Sequence, residues 1–464
     1  MLVAKWRLFT KYVRSLFHTR EVIIIALVGL GLRLLLMPLF VDPDLLIMQF
    51  SAHFLAYHGS LVGQTLYPDQ LAYPLPIYLL MAALQVLFKP LMPHFDTGIG
   101  ICNGALLDWI GTWGRNYLLP WLSGWFCTSH RYLYLFLLKV HYLPFDFASS
   151  FLITRLVSNE QTRLRLFRFW MFNPIILYAT YCWGQFDIIP VFFCLLSLYC
   201  ARRGNPIWAA LWLGIGASFK GYPLLFLPFL VLFVQGFWKK IGASLAGILP
   251  YVICILPYFF ISAIDQSKAF LATGVGAGGS SVLGFGHELR LFDALVGVGN
   301  GHVIYVYFVI YGILLLHAYW RCRAEKESLA RLWEYEFAVL MLMFPLILFH
   351  PYWLVWLVPL VGLYWTSDRL GKYFPYGVWL FLCAILVLWD FGSKIILVLT
   401  PTFPQVLNLP DPQALISLLL PAFASKAGMV IDVFRSWLFA MAIGLTWFAF
   451  KDLDLRFDNR IQSK

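Results

Sequence analysis

Apolar residues run along this chain in stretches of roughly 17 to 25, the length a helix needs to span a hydrocarbon core. Barrel strands would instead alternate over about ten residues. The pattern predicts an all-α polytopic membrane protein with extracytoplasmic loops, read as a single membrane domain over 1–464. Expected spans include 21–40, 75–92 and 132–153. Two apolar runs lie between each later pair of basic clusters. Parity around 96–130 needs one more crossing, for which the Trp-rich stretch 108–128 is the candidate, so about 14 crossings are favoured over about 12.

The basic clusters fix an orientation. They fall in the N-terminal segment and at 155–168, 202–203, 239–240, 321–331, 369–372 and 451–464, and the positive-inside bias puts them and both termini in the cytoplasm. The outward turns are then expected at 41–73, near Gln185, near Gly221, and across 262–302, His350 and 400–426. Segment 5–20 reads as an uncleaved N-terminal region, with Trp6, Phe9, Val13 and Phe17 spaced to lie along the cytoplasmic leaflet.

Composition narrows the class further. The chain is 61% hydrophobic and only 12% charged, which excludes a water-soluble fold. Its net charge of +11 would suit nucleic acid, but clusters between apolar runs explain it as topology. No nucleic-acid partner is therefore expected. The eight cysteines show no CxxC spacing, and Cys194, Cys200, Cys254 and Cys383 sit in apolar runs as small hydrophobes. Cys102 and Cys127 share one interhelical segment and could pair only in an oxidising compartment. The glycine-rich stretch 274–281 lacks the form of a phosphate-binding P-loop.

Candidate chemistry collects at the outward turns. Asp42-Pro43-Asp44 follows the first span, and the proline keeps both acids near the membrane surface. Two close carboxylates can divide the roles of base and hydrogen-bond partner, whereas a plain loop pair would only end the helix. Gln185 and Asp187 lie at another mouth, where Asp187 is as well explained by helix capping as by function. Lys220 occupies the next outer turn, unusual for a lysine under the charge bias, although snorkelling would account for it. His350-Pro351-Tyr352-Trp353 forms a further turn, where an interfacial aromatic belt explains Tyr352 and Trp353 without a ligand. Lys139 and Asp146, seven apart, share a helix face and read as neutralising neighbouring helices. Asp390 and Lys394 read as a local i,i+4 pair.

Taken in order, these motifs resemble the GT-C fold glycosyltransferases that use lipid-phosphate sugars, in particular the GPI mannosyltransferase I group and its prokaryotic relatives. The resemblance rests on Asp42-Pro43-Asp44, Tyr67-Pro68, the segment 72–76, Lys139 with Asp146 and Arg155, Asn173-Pro174, the turn 184–187, the motif 219–223 and the segment 350–360. It implies a GT-C type helical bundle with about 12–14 transmembrane helices, a shared module over 21–237 and variable helices over 238–464. It also implies an inverting transferase at the extracytoplasmic face of a prokaryotic plasma membrane. The donor would be a polyprenyl-phosphate hexose, mannose by the resemblance, and the acceptor a glycolipid or glycan hydroxyl. Segment 274–302 lacks the His-rich motif of the eukaryotic enzyme, which points away from a GPI acceptor. By the same resemblance Asp42 and Asp44 are catalytic, Lys220, His350 and Arg290 bind the donor phosphate, and Gln185, Asp187, Tyr222 and Tyr352 bind sugar or acceptor. A divalent cation and an accessory membrane subunit are left open. The competing class is a lipid-linked sugar flippase or other transporter, which should show internal repeats and charges near the bilayer middle.

Overall fold

A computed structural model describes residues 20–40, 42–59, 73–92, 131–265, 295–299, 302–325, 329–347, 350–366, 377 and 427–452. The Asp390–Lys394 pair, Arg290, Cys102, Cys127, the stretch 108–128 and all of segment 5–20 except Arg20 lie outside them. The count of crossings rests partly on those residues.

The elements follow the apolar runs. In order they are α1 (Arg20–Leu39), α2 (Pro43–His58), α3 (Leu75–Phe88), α4 (Arg131–Lys139), α5 (Tyr142–Arg155), α6 (Glu160–Met171) and α7 (Pro174–Ile176), the last running on as a π-helix, Leu177–Trp183. Then come α8 (Ile188–Arg202), α9 (Pro206–Ala217), a 3-10 turn Tyr222–Phe226, α10 (Leu227–Phe233) and α11 (Phe237–Asp265). A hairpin, β1 (Leu295–Gly299) with β2 (His302–Tyr305), pairs antiparallel with a bulge between Gly297 and Gly299, and adds two strands to a fold expected to be helical throughout. It leads into α12 (Val306–Glu325), α13 (Leu332–Met343), a 3-10 turn Pro351–Trp356, α14 (Val358–Thr366) and α15 (Ala427–Asp452).

Among the described residues, three helices are long and apolar enough to cross a membrane, in α1, α11 and α15. A fourth results if α4 and α5, bent by 44°, count as one span. The run 132–153 is thus two helices. Pro144 has no N–H to give and its ring crowds the carbonyl of residue 140, so the helix restarts at the break. The polarity is that of a membrane bundle: Leu249, Ile313 and Trp447 are exposed, while Arg33, Lys139, Asp146, Lys220 and Glu336 are buried.

Local signals set the remaining joints. Asn159 caps α6 by accepting from the N–H groups of Gln161 and Thr162 at 2.8 and 3.2 Å. Asn173 does the same for α7, and Pro174 at its first position has no amide to satisfy. The basic stretch 155–168 thus carries a helix of its own, α6, set off from α7 and the π-helix by the capped break at 172–173. At Gly214 of α9 an added Cβ would lie 2.3 Å from the Gly247 carbonyl oxygen of α11, so glycine is what lets these two helices touch.

Candidate functional site

Two layers of buried charge stack inside the bundle. The inner one joins α1, α5, α6 and the π-helix. Arg33 Nε donates to Asp146 Oδ2 at 2.5 Å, Trp170 Nε1 donates to Oδ1 at 2.6 Å, and the Tyr181 hydroxyl donates to Oδ2 at 2.6 Å. Arg33 Nη1 also reaches the carbonyls of Gly29 and Met171 at 2.9 and 2.8 Å. Both partners of the ion pair are fully buried. Low dielectric makes each bond strong and each orphan costly, and here the donors and acceptors match.

Lys139 stands between the layers. Its ammonium donates to the carbonyls of Met37, Phe40 and Tyr181 at 3.1, 2.5 and 2.9 Å. A cation here meets the negative ends of α1 and of the π-helix together. The contacts of Lys139 and Asp146 tie neighbouring helices together, but not as a pair: Lys139 takes main-chain carbonyls and Asp146 takes Arg33 as its cation.

The outer layer holds the sequence candidates. Asp42 is buried at the head of α2, its carbonyl accepting from the Leu45 N–H at 3.2 Å, and it acts electrostatically on Lys139 and Tyr178. Asp44 lies in the first turn of α2, and its side chain is not among those described. Gly184 ends the π-helix with φ of +89° and its missing Cβ would fall 2.7 Å from Leu45 Cδ2, so the turn needs glycine for conformation and for space. Tyr142 donates its hydroxyl proton to the Gly184 carbonyl at 2.8 Å. These contacts set the turn carrying Gln185 and Asp187 against the head of α2.

Asp187 holds the N-cap position of α8 without capping it. Its Oδ1 instead accepts from Lys220 Nζ at 2.9 Å and from Trp356 Nε1 at 2.5 Å. Oδ2 has no hydrogen-bond partner among the described residues. Lys220 is 1% exposed and lies 5.0 to 5.5 Å from the ring centroids of Tyr73, Phe186, Tyr352, Trp353 and Trp356. It does not snorkel: its charge is held by one carboxylate and five aromatic rings. Tyr352 and Trp353 are likewise buried, so they wall this cage rather than forming an interfacial belt.

The wall continues outward. His350, half-buried, stacks on Tyr352 at 5.2 Å, Tyr352 meets Trp183 at 5.4 Å, and Trp183 meets Tyr178 at 5.7 Å. Asp42, Gln185, Asp187, Lys220, Tyr222, His350 and Tyr352 thus gather at one end of the bundle. Arg33, Trp356 and Glu336 went unnoticed in the sequence. A lone ionisable residue inside an apolar run, as Arg33 is, is the signal that marks such positions, whereas Glu336 stands two residues from Glu334 at the start of its run. Trp356 carries no comparable mark. Among the described residues no three His, Cys, Asp or Glu side chains gather closely enough to hold a metal ion.

Sequence comparison agrees with the class this arrangement points to. The family model described as glycosyltransferase family 87 matches residues 133–351, somewhat under half of the chain, and includes Asp187, Lys220 and His350. The chain resembles membrane glycosyltransferases of the GT-C type. A particular relative is GPI mannosyltransferase 1 of Candida albicans, 26% identical over 115 residues, which is 24% of this chain and 29% of the relative's length. The chain therefore matches less than a third of that relative. No solved structure matches the chain.

Proposed function

We propose that this protein is a membrane glycosyltransferase that moves a hexose, mannose by its likeness to the GPI enzyme, from a polyprenyl-phosphate donor to a hydroxyl of a glycolipid or glycan. The reading rests on one observation above all. A buried carboxylate, Asp42, shares an end of the bundle with a caged lysine–carboxylate pair, within a chain that resembles this class of enzyme. That end is assigned to the extracytoplasmic side, with both termini cytoplasmic, because the basic clusters lie at the opposite ends of the helices.

In the proposed step the acceptor oxygen attacks the anomeric carbon as the bond from that carbon to the lipid phosphate breaks. One displacement inverts the centre. The acceptor proton passes to Asp42, since a hydroxyl is a weak nucleophile until a base takes its proton. The phosphate leaves with its charge and needs positive or donating groups at its oxygens. His350, half-buried at the rim, meets that need directly, and Lys220 meets it by turning from Asp187 toward the phosphate. Arg290 keeps its assignment on the resemblance alone. Gln185, Asp187 and Tyr352 are assigned to sugar hydroxyls, with Asp187 Oδ2 the acceptor best placed to receive one. Asp44 orients the acceptor.

The test is incubation of the purified protein with a panel of polyprenyl-phosphate sugars and membrane lipid extracts, with products read by mass spectrometry. Asp42→Asn should lower transfer by about 10² to 10⁴, the usual worth of general base catalysis, while leaving expression and insertion intact. Substantial transfer by that variant removes Asp42 as the base. A protein that transfers none of the sugars but moves lipid-linked sugars between leaflets overturns the enzyme reading.

A further inference from the structure

Glu336 is an acid in the middle of α13, every residue of which is buried, and its Oε1 has no hydrogen-bond partner among the described residues. The proposed reaction makes no use of it. A carboxyl group buried without a partner costs free energy, so its persistence calls for one. Beside it lies a cavity of about 10 Å³ of space open to the centre of a water molecule, lined by Glu336, Tyr222, Cys194 and Trp356 among apolar neighbours. That is room for about one water, provided two or more polar groups hold it.

The lining includes two such groups, the Glu336 carboxyl and the Tyr222 hydroxyl. Tyr222 accepts from the Cys194 thiol at 3.8 Å, and no acceptor is described for its own hydroxyl proton. Glu336 acts electrostatically on both Cys194 and Tyr222. An acceptor is wanted on one side of the space and a partner for a carboxyl oxygen on the other. The ring of Tyr222 stacks on Trp356 at 4.2 Å with an interplanar angle of 11°, and Trp356 is the indole that donates to Asp187 Oδ1 at 2.5 Å.

We propose that Glu336 and Tyr222 bind a single internal water beside Cys194, and that this water fastens the Tyr222–Trp356 stack against Asp187, making Glu336 a positioning residue for the Asp187–Lys220 pair. The water accepts the phenol proton and donates to the Glu336 carboxyl group. The proposal stands on the packing alone, and its value for sugar transfer rests on the function proposed above.

The test uses the full chain in lipid nanodiscs with Glu336→Gln, Glu336→Leu, Tyr222→Phe and the double variant Glu336→Leu/Tyr222→Phe. The direct readouts are an experimental map for the water and the indole N–H resonance of Trp356, assigned by its loss in Trp356→Phe. Wild type and Glu336→Gln should show water density between residues 336 and 222 and one common indole resonance. Glu336→Leu and Tyr222→Phe should each lose the density and shift the indole, and the double variant should shift it no further. A dry cavity in the wild type, or an indole resonance unmoved by Glu336→Leu, overturns the proposal. In the transfer assay Glu336→Leu and Tyr222→Phe should each lower kcat by roughly 10-fold to 100-fold, the scale of a slightly misplaced site, with Glu336→Gln near wild type. Absence of transfer in the wild type would count against the proposed function and leave the map and resonance to decide the water site.

Discussion

Two carboxylates, Asp146 and Asp187, are buried inside this bundle beside a cation, and their surroundings differ in how far each set of partners is filled. Around Asp146 both carboxylate oxygens are taken, by Arg33, Trp170 and Tyr181, and the arginine spends its remaining donors on main-chain carbonyls. Around Asp187 one oxygen takes two donors, the other takes none among the described residues, and the lysine faces ring faces in place of oxygens. A saturated network has nothing left to offer a ligand. The Asp187 network keeps a buried acceptor with no partner among the described residues and a cation whose other partners are soft, which is the condition of a binding site rather than a strut.

The largest expected effect follows from that saturation. Asp146→Asn removes the counter-charge of Arg33 and weakens the acceptors of Trp170 and Tyr181, so it should destabilise the bundle by about 3–5 kcal/mol, as breaking a buried pair does. Replacing both partners by leucine should not restore stability, because Trp170 Nε1, the Tyr181 hydroxyl and the Met171 carbonyl lose their partners as well. Thermal unfolding in detergent, followed by size-exclusion of the heated sample, measures both. Full recovery in the double variant would show that the network is less interdependent than its bonds indicate.

Trp356→Phe is the intermediate case. It keeps an aromatic face for Lys220 and for the Tyr222 stack but removes the indole donor from Asp187. A hydrogen bond to a charged group is worth about 1.5–3 kcal/mol, so this variant should lose stability within that range. Its transfer activity should fall through kcat rather than KM, because the indole touches the carboxylate and not the space at the mouth. Steady-state assays over a donor series separate the two.

The apolar helices were legible because hydrophobic runs need only length to declare themselves, and α1 runs over the expected apolar stretch to within a residue at each end, whereas α2 forms inside 41–73, read as an outward turn, and α6 starts inside the basic stretch 155–168. So was the end at which 184–187, 219–223 and 350–356 meet, since the basic clusters label the other end. Pairing was not. Lys220 and Asp187 both stood out, yet spacing cannot say which turns face each other once each helix may rotate. Tyr352 and Trp353 looked like a belt because lipid headgroups and a buried lysine recruit the same side chains, an amphipathic ring with an electron-rich face. The break at 140–141 had its cause in plain view at Pro144, but an apolar run of ordinary span length hid it.

The smallest expected change in stability gives the sharpest form of the comparison. Lys220→Met with Asp187→Leu removes a charge pair whose only other described hydrogen-bond partner is the Trp356 indole, and puts apolar atoms among five rings. Such replacements are often neutral or even stabilising, because two charges no longer have to be desolvated. One orphaned donor, the Trp356 indole, is set against that gain, so the melting temperature should fall by less than in the variants above, in contrast to the Arg33 and Asp146 replacement with its three orphaned groups, while sugar transfer is lost. Lys220→Met alone should weaken use of the donor more than use of the acceptor, and equal weakening of both would remove its phosphate role. If the double variant instead unfolded as readily as Asp146→Asn, the Asp187 pair would be a second strut, and the candidate site would reduce to Asp42 and the aromatic wall beside it.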